Sequence, residues 1–224
     1  MENFSPQWDE TYKAGLHASI WPWSDLVAYV YRYSRPNKEH FKVLEVGAGA
    51  GANVSFFKAL GMEYYAVEGS ATAVDTLRKK FPEFKDTIVQ GDFTVEIPFD
   101  EIFDLVVDRA ALTHNTTQGV KNGINLITEK LKSGGIFIGI DWFSTEHEDY
   151  KNEGREAEDK YTKTDFENGQ FIGLGRVHFS DKKHIEELFS DYNILAMEHK
   201  IVTTAIPDTD HTFASWNFAV SKKM

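Results

Sequence analysis

The sequence Val43-Leu44-Glu45-Val46-Gly47-Ala48-Gly49-Ala50-Gly51 decides the fold. Together with Lys42, its first residues form a short β-prone run, which stops where glycines recur at alternate positions. Residues 52–60 then form a helical pattern that ends at Gly61. Glycines at the carboxyl end of a strand let the backbone turn tightly and approach a ligand, and the following helix offers unpaired N–H groups. The stretch therefore predicts a strand, a ligand-binding turn and a helix.

The same alternation of strand and helix repeats downstream. Further β-prone runs lie at residues 64–67, 87–90, 103–107 and 136–140. Ser70 is predicted to cap the helix that runs to Lys80. The helical pattern after the fourth run places its apolar residues on one face, at Val120, Ile124, Ile127 and Leu131. This alternation predicts an α/β fold with a parallel sheet and crossover helices.

The carboxyl-terminal part of the chain departs from this alternation. Two long β-prone segments, at about 193–204 and 212–221, follow a helix that Ser180 is predicted to cap. A turn at Pro207-Asp208 separates the two segments. We therefore expect them to pair antiparallel.

Two regions flank or interrupt the regular pattern. Residues 1–40 alternate between aromatic and polar side chains and are predicted to form a helical segment that covers the domain. Within it, Ser24 or Asp25 is predicted as the N-cap of a helix that runs to about Arg35. Residues 145–180 begin with a dense mixture of charges and few aliphatic side chains, which predicts a lid or a mobile loop. The whole chain, 1–224, is accordingly interpreted as one domain with a cap and a lid insertion.

Composition excludes several classes of protein. The 224 residues include no cysteine, which excludes a disulfide framework, a thiolate zinc site and a cysteine nucleophile and suits the reducing cytoplasm. The formal charge of -11 argues against a nucleic-acid partner. The amino terminus does not look like a signal peptide, and no stretch approaches the roughly 18 apolar residues of a membrane span. We expect a cytoplasmic protein with no membrane partner.

The glycine spacing and three acidic residues indicate the kind of ligand. A dinucleotide fingerprint needs Gly-x-Gly-x-x-Gly, whereas this chain has Gly-x-Gly-x-Gly preceded by Glu45, which would repel a pyrophosphate and suits an ammonium group. Glu68 ends the second strand, where a carboxylate can accept hydrogen bonds from both hydroxyls of a ribose. Asp92 ends the third strand and can accept from an exocyclic amine, while Phe93 covers the base. A cationic nucleoside fits this set.

These segments resemble the class I methyltransferases that use S-adenosylmethionine. The resemblance covers roughly residues 41–143 and rests on five motifs in order: Val43 to Gly51, Val67-Glu68-Gly69-Ser70, Gln90-Gly91-Asp92-Phe93, Phe103 to Arg109, and Leu131-Lys132-Ser133-Gly134-Gly135. It implies a Rossmann-like three-layer αβα sandwich whose seven-stranded sheet is mostly parallel with the last strand antiparallel. It also implies S-adenosylmethionine as cofactor, over the carboxyl ends of the first strands. The cofactor contacts predicted on this basis are Glu45, Gly47, Ala48, Gly49, Gly51, Asn53, Glu68, Gly69, Ser70, Gly91, Asp92, Phe93 and Arg109.

Two histidines are candidates for the base that removes a proton from the methyl acceptor. His114 follows the fourth strand, beside the expected position of the sulfonium, and its imidazole titrates near neutral pH. His178 lies at the end of the insertion. For each, packing or orientation of a loop is the alternative interpretation.

Arg109 is the third predicted catalytic residue, because a guanidinium just past the fourth strand can hold a carboxylate of the cofactor or of the acceptor. Pairing with Asp108 is an equally good interpretation. We hypothesise that Arg109, helped by Arg176 or Arg155, favours an anionic small molecule as acceptor. The Trp21-Pro22-Trp23 cluster is expected to pack in the core, with a wall of the site as the alternative.

The function expected from these features is methyl transfer to an oxygen or nitrogen of a small, anionic metabolite. Methylation of a protein and a non-catalytic, cofactor-binding scaffold are the alternatives. No His-x-x-x-His or Glu-x-x-His array is present, so the sequence predicts no metal site. It does not define an oligomeric state.

Overall fold

The structure, a computed structural model, describes residues 4–36, 39–207 and 211–223. The strands in these ranges are Lys42–Val46 (β1), Glu63–Glu68 (β2), Ile88–Gln90 (β3), Phe103–Arg109 (β4), Leu131–Phe143 (β5), Arg155–Glu156 (β6), Thr162–Thr164 (β7), Val177–His178 (β8), Tyr192–Thr203 (β9) and Thr212–Lys222 (β10). The α-helices are Gln7–Lys13 (α1), Ser24–Tyr29 (α2), Val54–Ala59 (α3), Ala71–Lys80 (α4), Thr117–Lys130 (α5), Glu148–Asn152 (α6) and Lys182–Leu188 (α7). Part of the turn predicted at Pro207-Asp208 lies outside the described residues.

Seven strands form the main sheet in the order β3-β2-β1-β4-β5-β10-β9. The first five strands run parallel to their neighbours, and β10 runs antiparallel to both β5 and β9. The predicted fold class is therefore confirmed, including the reversed last strand. Val46 pairs with Val67 on one side and with Asp108 on the other, so the ends of β1, β2 and β4 meet at one edge.

The two faces of this sheet carry two separate hydrophobic clusters, which explains the three layers. Successive side chains of a strand point to opposite faces. Leu44 and Val46 accordingly belong to the cluster that includes the apolar side chains of α5 and α7, whereas Val43 belongs to the cluster that includes those of α2, α3 and α4. The predicted apolar face of α5 is buried, with Val120 fully so.

Helix starts differ from the predictions at two of three places. Ser70 caps α4 as predicted, because its hydroxyl accepts the N–H of Ala73 at 3.1 Å. The caps predicted at Ser24 or Asp25 are wrong, since both residues lie inside the first turn of α2, and the helix continues as a π-helical segment over residues 30–34. The cap predicted at Ser180 is also wrong, because Asp181 accepts the N–H of His184 instead.

The insertion after β5 is built around its own small sheet and aromatic cluster. Strands β6, β7 and β8 pair antiparallel, next to α6. Five buried side chains of this region pack with Ala110 and Phe143, which follow β4 and end β5. The five are Phe166, Phe171, Leu174, Val177 and Phe179. The few apolar residues of the insertion are thus concentrated where it contacts the edge of the main sheet.

Among the described residues, no helix combines the length and the apolar character that crossing a bilayer requires.

Two glycines with positive φ differ in the space that a side chain would have. Gly51 and Gly61 both have positive φ, +84° and +67°. A Cβ at Gly51 would lie 2.4 Å from Leu77 Cδ2, whereas a Cβ at Gly61 would meet nothing within 4 Å. We expect Gly51→Ala to lower the free energy of unfolding by about 1–3 kcal/mol more than Gly61→Ala does, because the first substitution also overfills the core. Urea unfolding of the two variants measures the difference, and equal losses would contradict this account of the turn.

Candidate functional site

A cavity of about 450 Å³ lies at the edge where the parallel strands end. Its walls come from the glycine turn after β1, the ends of the neighbouring strands, the amino-terminal segment and the insertion. Eleven predicted cofactor-contact residues line it: Glu45, Gly47, Ala48, Gly49, Asn53, Glu68, Gly69, Gly91, Asp92, Phe93 and Arg109. The structure thus brings together side chains that are up to 64 positions apart in the sequence (109 − 45).

Gly51 and Ser70, which were also predicted to contact the cofactor, are not part of the cavity wall. Gly51 faces Leu77 of α4, and the hydroxyl of Ser70 caps that helix and contacts Asp9. Both residues shape the turn and the helix that follow the strands.

The backbone of the glycine turn lies in close contact with neighbouring residues. Gly47 and Gly49 have φ of +70° and +53°. A Cβ at Gly47 would lie 2.1 Å from the Cβ of Ala111, and one at Gly49 would lie 2.6 Å from the hydroxyl of Tyr12. Since L-residues avoid positive φ and no space exists for a side chain, glycine is required at both positions.

The carboxylate of Glu68 links the first two strands of the cavity edge. It is 4% exposed, and its two oxygens accept the backbone N–H groups of Gly49 and Ser70, each at 2.8 Å. Burial raises the pKa of Glu68, and these hydrogen bonds oppose that rise. A carboxylate oxygen can accept more than one hydrogen bond, so acceptor capacity toward a ligand is retained.

Glu45 is held by protein groups rather than left open for an ammonium group. Its oxygens accept hydrogen bonds from Asn53 Nδ2 at 2.7 Å and from the Tyr64 hydroxyl at 2.6 Å. Burial, together with the negative charges of Asp108 and Glu68, raises its pKa to about 7. Among the described residues, Asn53 Oδ1 is one of four buried side-chain polar atoms with no hydrogen-bond partner. In this corner of the cavity, that oxygen is the acceptor still available to a ligand.

Asp92 and Phe93 occupy the cavity wall after β3. Asp92 Oδ1 accepts hydrogen bonds from the N–H and the hydroxyl of Thr94, at 3.0 and 2.6 Å. The ring of Phe93 lies near Gly47, at 3.7 Å from the Cβ position built there. The pair therefore sits beside the glycine turn, as the sequence predicts for a base-binding corner.

The amino-terminal segment covers the cavity with three aromatic side chains that the sequence analysis did not identify as site residues. Phe4 lies over Gly69, Tyr12 over Gly49, and the ring of Trp8 contacts His114 edge-on at 4.8 Å. Trp8 and Tyr12 are four residues apart in α1 and lie on one face of that helix, whereas Phe4 precedes the helix. The spacing of the first two is the signal that could have revealed them.

Asp9 fixes this cover to the main domain. Its Oδ1 accepts hydrogen bonds from the Ser70 hydroxyl at 2.5 Å and from the backbone N–H of Thr72 at 3.1 Å. These groups lie at the amino terminus of α4, where a negative charge is favourable. The hydrogen bond from Ser70 is the largest cause that lowers the pKa of Asp9, so the carboxylate is ionised across the physiological range.

His114, the first predicted base, lies in the cavity wall. It is 9% exposed, lines the cavity, and its Nδ1 lies 3.2 Å from the carbonyl oxygen of Arg176. A carbonyl only accepts, so Nδ1 carries the ring proton and Nε2 keeps its lone pair. Burial lowers the pKa of His114 to about 4. The ring is therefore neutral at pH 7.

The arginines of the anionic-acceptor hypothesis all have carboxylate partners. Arg109 Nη2 lies 3.1 Å from Asp141 Oδ2 and its guanidinium stacks on Trp23 at 3.6 Å. Arg155 pairs with Asp165, and Arg176 with Glu158, both on the surface of the insertion. Arg109 Nε is buried without a hydrogen-bond partner. Only Arg109 of the three lines the cavity.

Asp108 does not pair with Arg109 through a hydrogen bond, which was the alternative interpretation. Its Oδ1 accepts the N–H groups of Ala111 and Leu112 at 3.0 Å each, and its Oδ2 accepts Trp142 Nε1 at 2.6 Å. The aromatic cluster near residue 22 is not core either. Trp21 is 73% exposed and Trp23 lies against Arg109 at the cavity.

The structure places His178 away from the cavity. It is fully buried, and its Nε2 lies 3.1 Å from His184 Nε2 while Tyr161 stacks on His184. Two imidazoles this close share one proton between the facing nitrogens, so one donates and the other accepts. Burial and the neighbouring His184 lower the pKa of His178 to about 3. This geometry suits a role in packing the base of the insertion.

Comparisons with known proteins identify a related domain in this chain. A family model described as a methyltransferase domain matches residues 44–139. The ribosomal RNA small subunit methyltransferase A of Porphyromonas gingivalis is 38% identical over 61 residues, 27% of this chain and 23% of that protein. An uncharacterized methyltransferase of Staphylococcus carnosus is 31% identical over 112 residues, 50% of this chain and 52% of that protein. The chain thus spans at most about half the length of these curated relatives.

Solved structures share the fold across most of the chain. An S-adenosylmethionine-dependent methyltransferase from Methanosarcina mazei aligns with a TM-score of 0.68 at 14% identity, covering 91% of this chain and 99% of that one. The N-methyltransferase NodS from Bradyrhizobium japonicum, in complex with S-adenosyl-L-homocysteine, aligns with a TM-score of 0.60 at 13% identity, covering 88% and 85%. At these identities the likeness establishes the fold.

Residues 44–139 thus match a methyltransferase domain, and the fold of the chain is shared with S-adenosylmethionine-dependent methyltransferases. Both findings agree with the predicted family and cofactor.

The histidine pair gives a pH-dependent contribution to stability. An unfolded histidine takes up a proton near pH 6.5, whereas His178 in the folded protein stays neutral down to a pKa of about 3. The free energy of unfolding of wild type should exceed that of His178→Asn at pH 7. This difference should decrease as the pH falls below 6.5, by at most about 1.4 kcal/mol per pH unit. Urea unfolding of both proteins between pH 7 and pH 5 measures it. A difference that does not change with pH would contradict the buried, neutral pair.

Proposed function

We propose that this protein transfers a methyl group from S-adenosylmethionine to an oxygen or nitrogen atom of a small metabolite. The observation that carries the proposal is that one cavity is lined by both the predicted cofactor edge and His114, a neutral imidazole. The lack of cysteine suits a reducing compartment, and we propose the cytoplasm as its location.

The residues present fit S-adenosylmethionine. The two orphaned polar atoms at the cavity, Asn53 Oδ1 and Arg109 Nε, are an acceptor and a donor. They match the ammonium and carboxylate groups of the methionine end, since buried polar atoms in proteins normally have partners. Glu68 would hold the ribose hydroxyls, and Asp92 with Phe93 the adenine. When bound, the cofactor supplies a methyl group on a sulfonium, which is already an activated leaving group.

His114 would accept the proton of the acceptor. The hydrogen bond to the Arg176 carbonyl fixes the Nδ1–H tautomer and leaves Nε2 as the basic atom. Trp8 and Phe143 hold the ring edge-on at centroid distances of 4.8 and 6.1 Å, which limits its rotation. The low pKa makes His114 a weak base but keeps it unprotonated at pH 7, so it suits an acceptor whose acidity rises as the methyl bond forms.

The cavity favours a small acceptor with an apolar part. About 450 Å³ must hold the cofactor as well as the acceptor, which leaves little room for a folded protein chain or a nucleotide of an RNA. Besides polar residues such as Asp141 and Gln170, the wall includes four apolar side chains near His114 or from the insertion and β10, namely Phe143, Phe171, Leu174 and Phe213. Because Asp141 neutralises Arg109, an anionic acceptor has less support than the sequence indicates.

Three alternatives can be distinguished by experiment. The match to a ribosomal RNA methyltransferase favours an RNA substrate, against which the formal charge of -11 argues. A protein substrate would need the cover formed by the amino-terminal segment to open. A scaffold without turnover would bind the cofactor and transfer nothing.

The test is mass spectrometry of metabolite pools incubated with the protein and deuterated-methyl S-adenosylmethionine. We expect a small metabolite to acquire the deuterated methyl group. His114→Gln should slow its formation roughly 10²–10⁴-fold, the range typical of a lost general base. His178→Asn, which alters the other predicted histidine, should leave the rate within a few-fold of wild type.

Parallel incubations with total RNA and with protein extract separate the alternatives. Label in RNA or protein alone would contradict the small-molecule proposal. Label nowhere, with S-adenosylhomocysteine still binding, would support the scaffold. Equal rates for His114→Gln and wild type would exclude His114 as the base.

A further inference from the structure

Behind the aromatic wall of the cavity, three side chains with metal-ligand chemistry come together. They are His147 and Asp149, at the start of α6, and His211, just before β10. One potential ligand atom from each lies within 4.8 Å of the other two. His147 is fully buried and Asp149 is 2% exposed. Imidazole and carboxylate groups from three positions around one point form the donor set of many transition-metal sites.

The contacts inside this cluster centre on the buried carboxyl group of Asp149. Asp149 Oδ1 lies 3.2 Å from His211 Nε2, and Asp149 Oδ2 accepts the backbone N–H of Gln170 at 3.1 Å. The backbone of Gly169 packs directly against the Asp149 carboxylate, since a Cβ at Gly169 would lie 2.5 Å from both oxygens. A buried carboxylate is stable when it is paired with a cation or bound to a metal. In the described structure only His211, when protonated, offers a cation to Asp149.

Aromatic side chains hold the ring of His147 in place. Phe171 and Phe213 contact the ring at centroid distances of 5.2 and 5.3 Å. Its Nε2 lies 3.2 Å from the side-chain amide of Gln170, which presents a carbonyl oxygen when the amide is turned round.

We propose that His147, Asp149 and His211 bind a divalent transition-metal ion of the zinc class, with the amide oxygen of Gln170 as the fourth ligand. His147 would bind through Nε2. Its ring proton then moves to Nδ1, and the hydrogen bond that Nδ1 accepts from the N–H of Asp149 is lost. The ligand atoms must also move closer together, since zinc bonds to nitrogen and oxygen are about 2.0–2.2 Å long. Magnesium is excluded because it binds imidazole poorly.

This ion would act on the shape of the cavity and not on methyl transfer. It would join three segments that are distant in the chain, at residues 147–149, 170 and 211. Phe171 and Phe213, each next to or near a ligand in the sequence, line the cavity. Binding would therefore order the apolar wall against which the proposed acceptor lies. The site stands on its own geometry and does not depend on the proposed function.

The experiment uses the full-length protein, treated with a chelator and dialysed, without cofactor. Zn²⁺ and Mg²⁺ are titrated separately by calorimetry, bound zinc is measured by elemental mass spectrometry, and Tm is recorded with and without Zn²⁺. We expect one Zn²⁺ per chain, a higher Tm with Zn²⁺, and no saturable binding of Mg²⁺. Co²⁺ in place of Zn²⁺ should give the visible absorption bands of a tetrahedral site.

The variant His211→Ala tests the ligand set with little risk to folding, since the side chain of His211 is 38% exposed. It should weaken Zn²⁺ at least about 10-fold and abolish the gain in Tm. His40→Ala, at a surface histidine whose side chain is 83% exposed, is the matched control and should bind Zn²⁺ like wild type. Absence of Zn²⁺ binding by wild type, or equal binding by His211→Ala, would overturn the proposal and show a hydrogen-bonded cluster only. Because no activity is measured, failure here leaves the methyltransferase proposal untouched.

Discussion

The carboxylate of Glu68 is the group on which the geometry of the site depends. Its oxygens hold the backbone N–H of Gly49, in the turn after β1, and that of Ser70, at the start of α4. Two loops from neighbouring strands are thereby fixed to one side chain. Without these hydrogen bonds a carboxylate at 4% exposure would be strongly unfavourable. The acid proposed to hold the ribose is therefore also the acid that joins these two loops.

Two regions outside the regular α/β pattern enclose the edge that Glu68 organises. The amino-terminal segment lays Phe4, Trp8 and Tyr12 over the glycine turn and is fastened by Asp9 to α4. The insertion after β5 closes the other side with its aromatic cluster. The parallel sheet supplies the edge proposed to bind the cofactor, and these two additions form the rest of the cavity wall, where the acceptor is proposed to lie.

Much of the sheet and of the cofactor edge could be predicted, because the signals are local. Strand β1 has the predicted bounds, Glu45 lies within it, Glu68 ends β2, and Asp92 lies two residues after the end of β3. The acceptor side was less accessible, because its contacts join distant segments: Arg109 with Asp141, Trp8 with His114, and His147 with His211. His178 was predicted as a base for the same reason. Its position in the chain does not reveal that its ring packs against His184, away from the cavity.

Calorimetric titration of S-adenosylhomocysteine into wild type and Glu68→Ala tests the central claim most directly. The account predicts saturable binding to wild type and binding at least about 10-fold weaker to Glu68→Ala, the usual effect of removing a charged hydrogen-bond acceptor. Glu63→Ala is the matched control, since Glu63 lies at the opposite end of the same strand, and it should bind like wild type. No binding to wild type, or equal affinity for a folded Glu68→Ala, would contradict the account.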